Sequence, residues 1–343
     1  MPETLAERVG RWDLSGAVSV GGDLFNQIHE RIVFLQHVHY DQYLPTQSPR
    51  HQTDFEQRLE SWLDNLSREA DRQILLELVP QTIFFGRDEF SSLYQAAIRG
   101  PVTRWIIELN QLDFMAEDFN TRLTTEVSTH TWYCAISDSM PMSDFCHVNN
   151  LGGIQYRPDF RALSELGDPT KILNFMKQRS VPLKRLVLLE DFIGSGSQLE
   201  DAKPVADHLL ANNVPILLVP LIICPDGVTA ARNLFGSSQH FRFDPVLPLQ
   251  DDIFINALST TSPDSLADRV KELARRCHSQ VVGDNAGAPC YGPFGFPSPN
   301  GTGATVVLYS NTPDNTLPLI HHRSDTWRPL FQRSSREMNL DHG

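Results

Sequence analysis

The chain has 343 residues, 41% of them hydrophobic and 21% charged, the balance of a soluble globular protein of about two domains. Forty-two acidic against 29 basic residues give a formal net charge of −13, which argues against non-specific DNA or RNA binding, because that requires a basic face. The apolar fraction is large enough for a core that needs neither disulfides nor a structural metal.

Five cysteines are present, an odd count with no CxxC pair, so neither a disulfide framework nor a zinc site is expected. The N-terminal stretch is charged and lacks the apolar core of a signal peptide. The longest apolar run, Val214–Cys224, is interrupted by Pro215 and Pro220. A spanning helix needs ~20 apolar residues, so this run reads as a buried strand. A cytoplasmic protein with no membrane segment is expected. Pro220 fits an edge strand or a bulge better than a central strand.

The first third reads as helical. Leu24, Ile28, Ile32, Leu35 and Val38 recur at helical spacing in Asp23–Tyr40. Phe55, Leu59, Trp62, Leu63, Leu66, Ile74, Leu75 and Leu78 do so in Asp54–Leu78, and a third segment spans Arg87–Arg99. Gly100-Pro101 is expected to end that helix with two breakers. No catalytic constellation appears here, so residues 1–125 read as a helical packing or docking region. From Val127 onward strands and helices alternate, which implies a mostly parallel sheet with helices on its faces. The strand candidates are Thr131–Ile136, Leu186–Leu189, Val214–Cys224, His240–Phe243 and Ala304–Tyr309. The helix candidates are Asp159–Leu166, Pro169–Gln178, Gln198–Asn212, Asp226–Leu234 and Ser265–Cys277. This α/β domain spans 126–333, and 334–343 is a tail.

The stretch that carries chemistry is Leu186–Leu199, LVLLEDFIGSGSQL. A buried strand ends in two adjacent acids, Glu190 and Asp191, then in Gly194-Ser195-Gly196-Ser197 and the start of a helix. Ligands of open α/β sheets bind at the C-terminal ends of strands. A Gly/Ser loop feeding a helix N-terminus offers backbone N–H groups and a positive dipole end, which hold a phosphate without Lys or Arg. The acids would repel that phosphate, so they fit the hydroxyls of a sugar or a divalent cation brought in by the ligand. The bland alternative is a buried strand whose acids cap the next helix. A Walker A loop is excluded, because no lysine follows the glycines.

The motif resembles the PRPP-binding motif of type I phosphoribosyltransferases. The wider chain resembles the PRTase-CE proteins, phosphoribosyltransferase-like proteins linked to bacterial conflict and anti-phage systems. Beyond Glu190–Gln198, the resemblance rests on TWYCAISDSM (131–140), HVNNL (147–151), SNTPDNTLPLI (310–320) and WRPLFQR (327–333), together with IFFGRDEFSSLYQAAIRGP (83–101). It implies a type I phosphoribosyltransferase-like α/β fold, a mostly parallel sheet with flanking helices, behind an N-terminal helical extension. It also implies that Glu190 and Asp191 contact ribose hydroxyls, and that Gly194, Ser195, Gly196 and Ser197 hold the 5-phosphate. Gln198 either binds that phosphate or caps the helix.

By the same resemblance, Ser137-Asp138-Ser139 stands where these enzymes hold pyrophosphate. Yet Ser137–Asp144 contains no Lys or Arg. Mg²⁺ on Asp138 and Asp191 would supply the missing positive charge, or Arg157 and Arg161 would fold over the site; otherwise Asp138 is a turn residue. Asn311 and Asn315 follow the last strand and either read the edge of a base or stabilise turns. Arg323 and Arg328 are the downstream candidates for an anionic group. Two functions follow. One is an enzyme that binds PRPP or a ribonucleotide with Mg²⁺ and acts at the ribose anomeric carbon. The other is an inactive PRPP- or nucleotide-sensing module that docks to a defence-system partner protein or ribonucleoprotein.

Overall fold

The computed structural model describes residues 3–15, 23–45, 54–152, 169–234, 238–283, 291–297 and 300–334. The expected helix Asp159–Leu166 and the candidates Arg157 and Arg161 lie outside them, as does all of the tail after Ser334. The chain forms two compact units, Met1–Arg87 with Asp252–Gly343, and Asp88–Asp251. This division cuts across the one expected from the sequence, 1–125 against 126–333. The reason is a strand pairing that local periodicity does not reveal.

In the first unit, α1 (Leu5–Ser15), α2 (Leu24–Val38), α3 (Phe55–Leu63) and α4 (Glu69–Leu78) precede β1 (Ile83–Phe85). The helical reading of the first third missed β1. The Asp54 carboxylate accepts from Gln57 N at 2.8 Å and starts α3. The rest of the unit comes from the far end of the chain. Ile83, Phe84 and Phe85 pair in parallel with Val306, Val307 and Leu308. The last strand, expected over Ala304–Tyr309 as part of the main sheet, therefore lies outside that sheet. Ser265 caps the long helix Leu266–Val282, which packs on α4 through Arg269–Glu77 and Arg276–Asp71. Trp12, Trp62 and Trp327 sit in one core, where the indole N–H groups of Trp62 and Trp327 both donate to Leu319 O. Burying large rings contributes strongly to a core of this kind.

The second unit begins with α5 (Arg87–Ala97), α6 (Thr103–Asn110) and α7 (Phe119–Ser128). Gly100-Pro101 does not break the helix as expected. Residues Ile98–Val102 form a π-turn, and Thr103 N–H reaches back to Ile98 O, so the ladder closes around the proline that lacks an N–H. The sheet follows in the order β2 (Thr131–Ala135), β3 (Arg185–Ile193), β4 (Ile216–Ile223) and β5 (Phe241–Phe243), all parallel. Every residue of β3 and β4 is buried, as a parallel strand covered on both faces requires. On one face Trp132, Cys134, Leu186, Leu188, Ile216 and Leu218 meet α9 (Pro169–Gln178), α10 (Leu199–Ala211) and α11 (Pro225–Leu234). On the other, Tyr133 packs on Phe145 of α8 (Met142–Val148), which meets Tyr94 of α5.

Pro220 lies inside β4, paired on both sides, not on an edge. On one side β4 changes partner, from β5 at Ile216–Leu218 to β6 (Leu247–Pro248) at Ile222–Ile223. Pro220 sits at that changeover: its carbonyl accepts from Val246 N at 2.9 Å, while its nitrogen has no hydrogen to donate where the pairing passes from one strand to the other.

Candidate functional site

Strand β3 outruns β2. The pairing with β2 stops at Ala135–Leu189, while the pairing with β4 continues to Ile193–Ile223. Glu190 and Asp191 therefore belong to the strand itself, which runs four residues past the expected end at Leu189, and not to a loop. The space beside them is filled by the loop after β2. Among the described residues, the cation of β3 is Arg185, at the strand's other end; it is buried and donates to Glu126 Oε2 at 2.6 Å.

The structure brings both acids together with both candidate serines. Ser137 N donates to Glu190 Oε2 at 2.9 Å, and Ser137 Oγ lies 2.5 Å from Glu190 Oε1. Ser137 Oγ is also 2.5 Å from Ser139 Oγ, which is 2.7 Å from Asp191 Oδ1. Phe192 N donates to that same Asp191 oxygen at 2.8 Å. Four oxygens thus form a chain with three short contacts, with the Ser137 hydroxyl donated to Glu190 and the Ser139 hydroxyl to Asp191. Burial, then the neighbouring Asp191 charge, push the Glu190 carboxyl up to about 8, while bonds from Ser137 and Ser139 pull the other way.

Asp138, between the two serines, is exposed. Ser137 and Ser139 turn their hydroxyls onto the acids, so in this arrangement the loop does not present them outward to a pyrophosphate.

The phosphate-loop candidates follow directly. Gly194 and Gly196 are buried, Ser195 is half-buried and Ser197 is exposed. Gly196 has φ +87°, a conformation that side chains resist, and a Cβ there would lie 2.4 Å from Ala230 Cβ of α11. Gly227, in the first turn of α11, also approaches Gly194 O closely: a Cβ would sit 2.8 Å away. The loop is thus pressed onto α11 from both sides. Gly227 was missed by the sequence reading; a glycine in the first turn of a helix was the available signal. Gln198 precedes α10 and makes no side-chain cap bond, so the capping alternative is not what forms. Its Nε2 points to Phe192 O at 3.5 Å.

The remaining candidates belong to the first unit. Asn311 donates to Ser334 O at 3.1 Å and accepts from Thr312 N and Ser334 N at 3.0 and 2.9 Å. Asn315 donates to Phe296 O and Thr302 Oγ1 at 2.9 and 3.0 Å. Both are buried, and these bonds are those of the turn-stabilising alternative. Arg323 is exposed and donates to Gln332 Oε1 at 3.0 Å; Arg328 is exposed.

Among the described residues no group of three or more His, Cys, Asp or Glu is arranged to hold a metal ion. No helix is long and apolar enough to cross a membrane among these residues. Compared with known families, the chain matches the family model PRTase-CE over residues 59–333. No curated protein and no solved structure matches it.

Proposed function

The chain belongs to the PRTase-CE family and is a phosphoribosyltransferase-like protein; from that premise we propose that its second unit binds PRPP or a ribonucleotide at the end of β3. The observation that carries this reading is the order of groups along one strand: two buried acids at its C-terminal end, then a glycine-kinked loop opening a helix. The loop Gly194–Gln198 takes the 5-phosphate on backbone N–H groups at the start of α10, where the dipole favours an anion. Asp191, at the far end of the oxygen chain, accepts hydrogen bonds from the ribose hydroxyls, and Glu190 holds its partner loop in place.

Mg²⁺ usually takes one or two carboxylates and completes its shell from substrate phosphate and water. Asp191 and Asp138 would hold it, and it would offset negative charge on a departing pyrophosphate. The reaction in this reading is displacement at the ribose anomeric carbon, where positioning and charge stabilisation suffice and no side-chain nucleophile is required. As a conflict-system effector the protein would modify or deplete nucleotides.

A specific observation favours a second reading, a sensor without turnover. The hydroxyls of Ser137 and Ser139 are committed to the acids, and Ser137–Asp144 has no basic residue to hold a leaving pyrophosphate. Incubation with PRPP, NAD and nucleotides in Mg²⁺, read by mass spectrometry alongside equilibrium binding, separates the two. Release of pyrophosphate or free base establishes the enzyme, and tight binding without release establishes the sensor. No binding of any phosphoribosyl ligand would overturn both.

A further inference from the structure

The turn between α6 and α7 carries apolar side chains in the wrong place for a core. Phe114 is 69% exposed and Met115 89%, and Leu109, at the end of α6, is 41% exposed. Phe114 packs against Phe119 with the rings tilted by 39° and 5.1 Å between centres, so the exposed ring has a fixed neighbour. Asp113 Oδ1 accepts from Met115 N at 2.9 Å, and Ala116 N donates to Asp113 O, fixing the turn that projects both side chains. Helix α7, which follows, has no fully buried residue. A single exposed apolar residue is ordinary, but a fixed Phe-Met pair beside an under-covered helix is not. Phenylalanine and methionine are enriched where proteins meet, and methionine adapts to an uneven partner surface.

The charge around this knob selects its partner. Between Arg104 and Arg122 the chain has four acids, Glu108, Asp113, Glu117 and Asp118, and no Lys or Arg. Glu108 is paired with Arg242, and Asp113 is used in the turn. Glu117 and Asp118 form no ion pair among the described residues, and both are exposed. A second copy would bring the same acids against each other, on a chain already at −13. Nucleic acid and an anionic lipid surface are repelled likewise.

We propose that the Leu109–Phe119 turn is a docking knob for a partner protein that presents an apolar face rimmed by lysine or arginine. Phe114 and Met115 supply the buried contact, and Glu117 and Asp118 supply orientation and on-rate from the rim.

The probe is a fluorescein-labelled synthetic helix with leucines on one face and lysines along its edges, with a glutamate-edged version as control. Anisotropy is measured with the full chain, with Phe114→Ser/Met115→Ser, and with Glu117→Gln/Asp118→Asn. The lysine-edged helix should bind the wild type and the control should not. Phe114→Ser/Met115→Ser should weaken binding about tenfold or more, as loss of a central contact does. Glu117→Gln/Asp118→Asn should weaken it about threefold at low salt, with the difference closing at high salt. Equal affinity for the serine variant, equal binding of both peptides, or no binding to the wild type overturns the proposal. So does wild-type self-association in sedimentation that the serine variant abolishes, which would make a second copy the occupant. The serine variant should melt with the wild type; a fall beyond about 4 °C would place the side chains in the core, against the proposal.

Discussion

Two parallel strands in this protein run into polar turns, and the turns use their polar groups in opposite ways. After Val306–Leu308, Asn311 binds the backbone of Thr312 and Ser334, Thr312 Oγ1 donates to Phe331 O, and Thr316 Oγ1 donates to Val306 O. These are neutral groups closing backbone bonds, and they stabilise the fold. At the end of Arg185–Ile193, two acids meet two serines, and the charge acting on Glu190 is the like charge of Asp191. Adjacent buried carboxyls are a costly way to hold a strand end. Strand position alone therefore does not identify a ligand site. What distinguishes the two turns is where each hydrogen bond goes.

The largest expected contrast is in pH. Burial and then the neighbouring Asp191 charge push Glu190 up to about 8 from an ordinary 4.5, so between those values the folded state holds a proton that the unfolded chain releases. Its stabilising contribution is complete below about pH 4.5 and is lost as pH rises through about 8, at up to about 1.4 kcal/mol per pH unit. His321, in the first unit, has the opposite sign. Burial, then the charges of Arg333 and His322, hold it well below 6.5, so its contribution is present above 6.5 and lost as pH falls. Urea unfolding between pH 5 and 9 should show a high-pH loss in the wild type that Glu190→Gln removes. Parallel profiles for the two proteins would remove the proton from Glu190.

Next in size is Asn311→Ala. It deletes three hydrogen bonds, worth about 1 kcal/mol each, so unfolding should show a loss of about 3 kcal/mol with phosphoribosyl-ligand affinity unchanged. Gly196→Ala should cost about 1–3 kcal/mol, because it combines a positive φ with a clash on Ala230. In contrast to Asn311→Ala, it should also lower ligand affinity, because it displaces the phosphate loop. A Gly196→Ala protein with full stability and full affinity would mean that the loop is slack.

The order aliphatics, acids, glycine loop, helix was legible in Leu186–Leu199, because each part is local. The length of β3 was not. Glu190–Ile193 is strand only because β4 continues beside it, and acids and a glycine loop look like a strand's end when β4 is out of view. Pro220 misled for the same reason, since its missing N–H matters only against a particular neighbour. Gly100-Pro101 read as a stop signal, because a π-turn leaves no mark on apolar periodicity. The pairing of Ile83–Phe85 with Val306–Leu308 joins residues more than two hundred positions apart, which single-sequence patterns do not register. Asn311 and Asn315 carry the same donors and acceptors in either role, so only their partners could decide.

The central claim is that the ligand sits at Asp191 and not at Asn311. Calorimetric titration of PRPP with Mg²⁺ into Asp191→Asn and Asn311→Ala tests it most directly. Loss of a charged hydrogen-bond acceptor costs ~1.5–3 kcal/mol, so Asp191→Asn should bind about ten- to a hundredfold more weakly while Asn311→Ala matches the wild type. Unchanged affinity in Asp191→Asn, or a loss confined to Asn311→Ala, would contradict it.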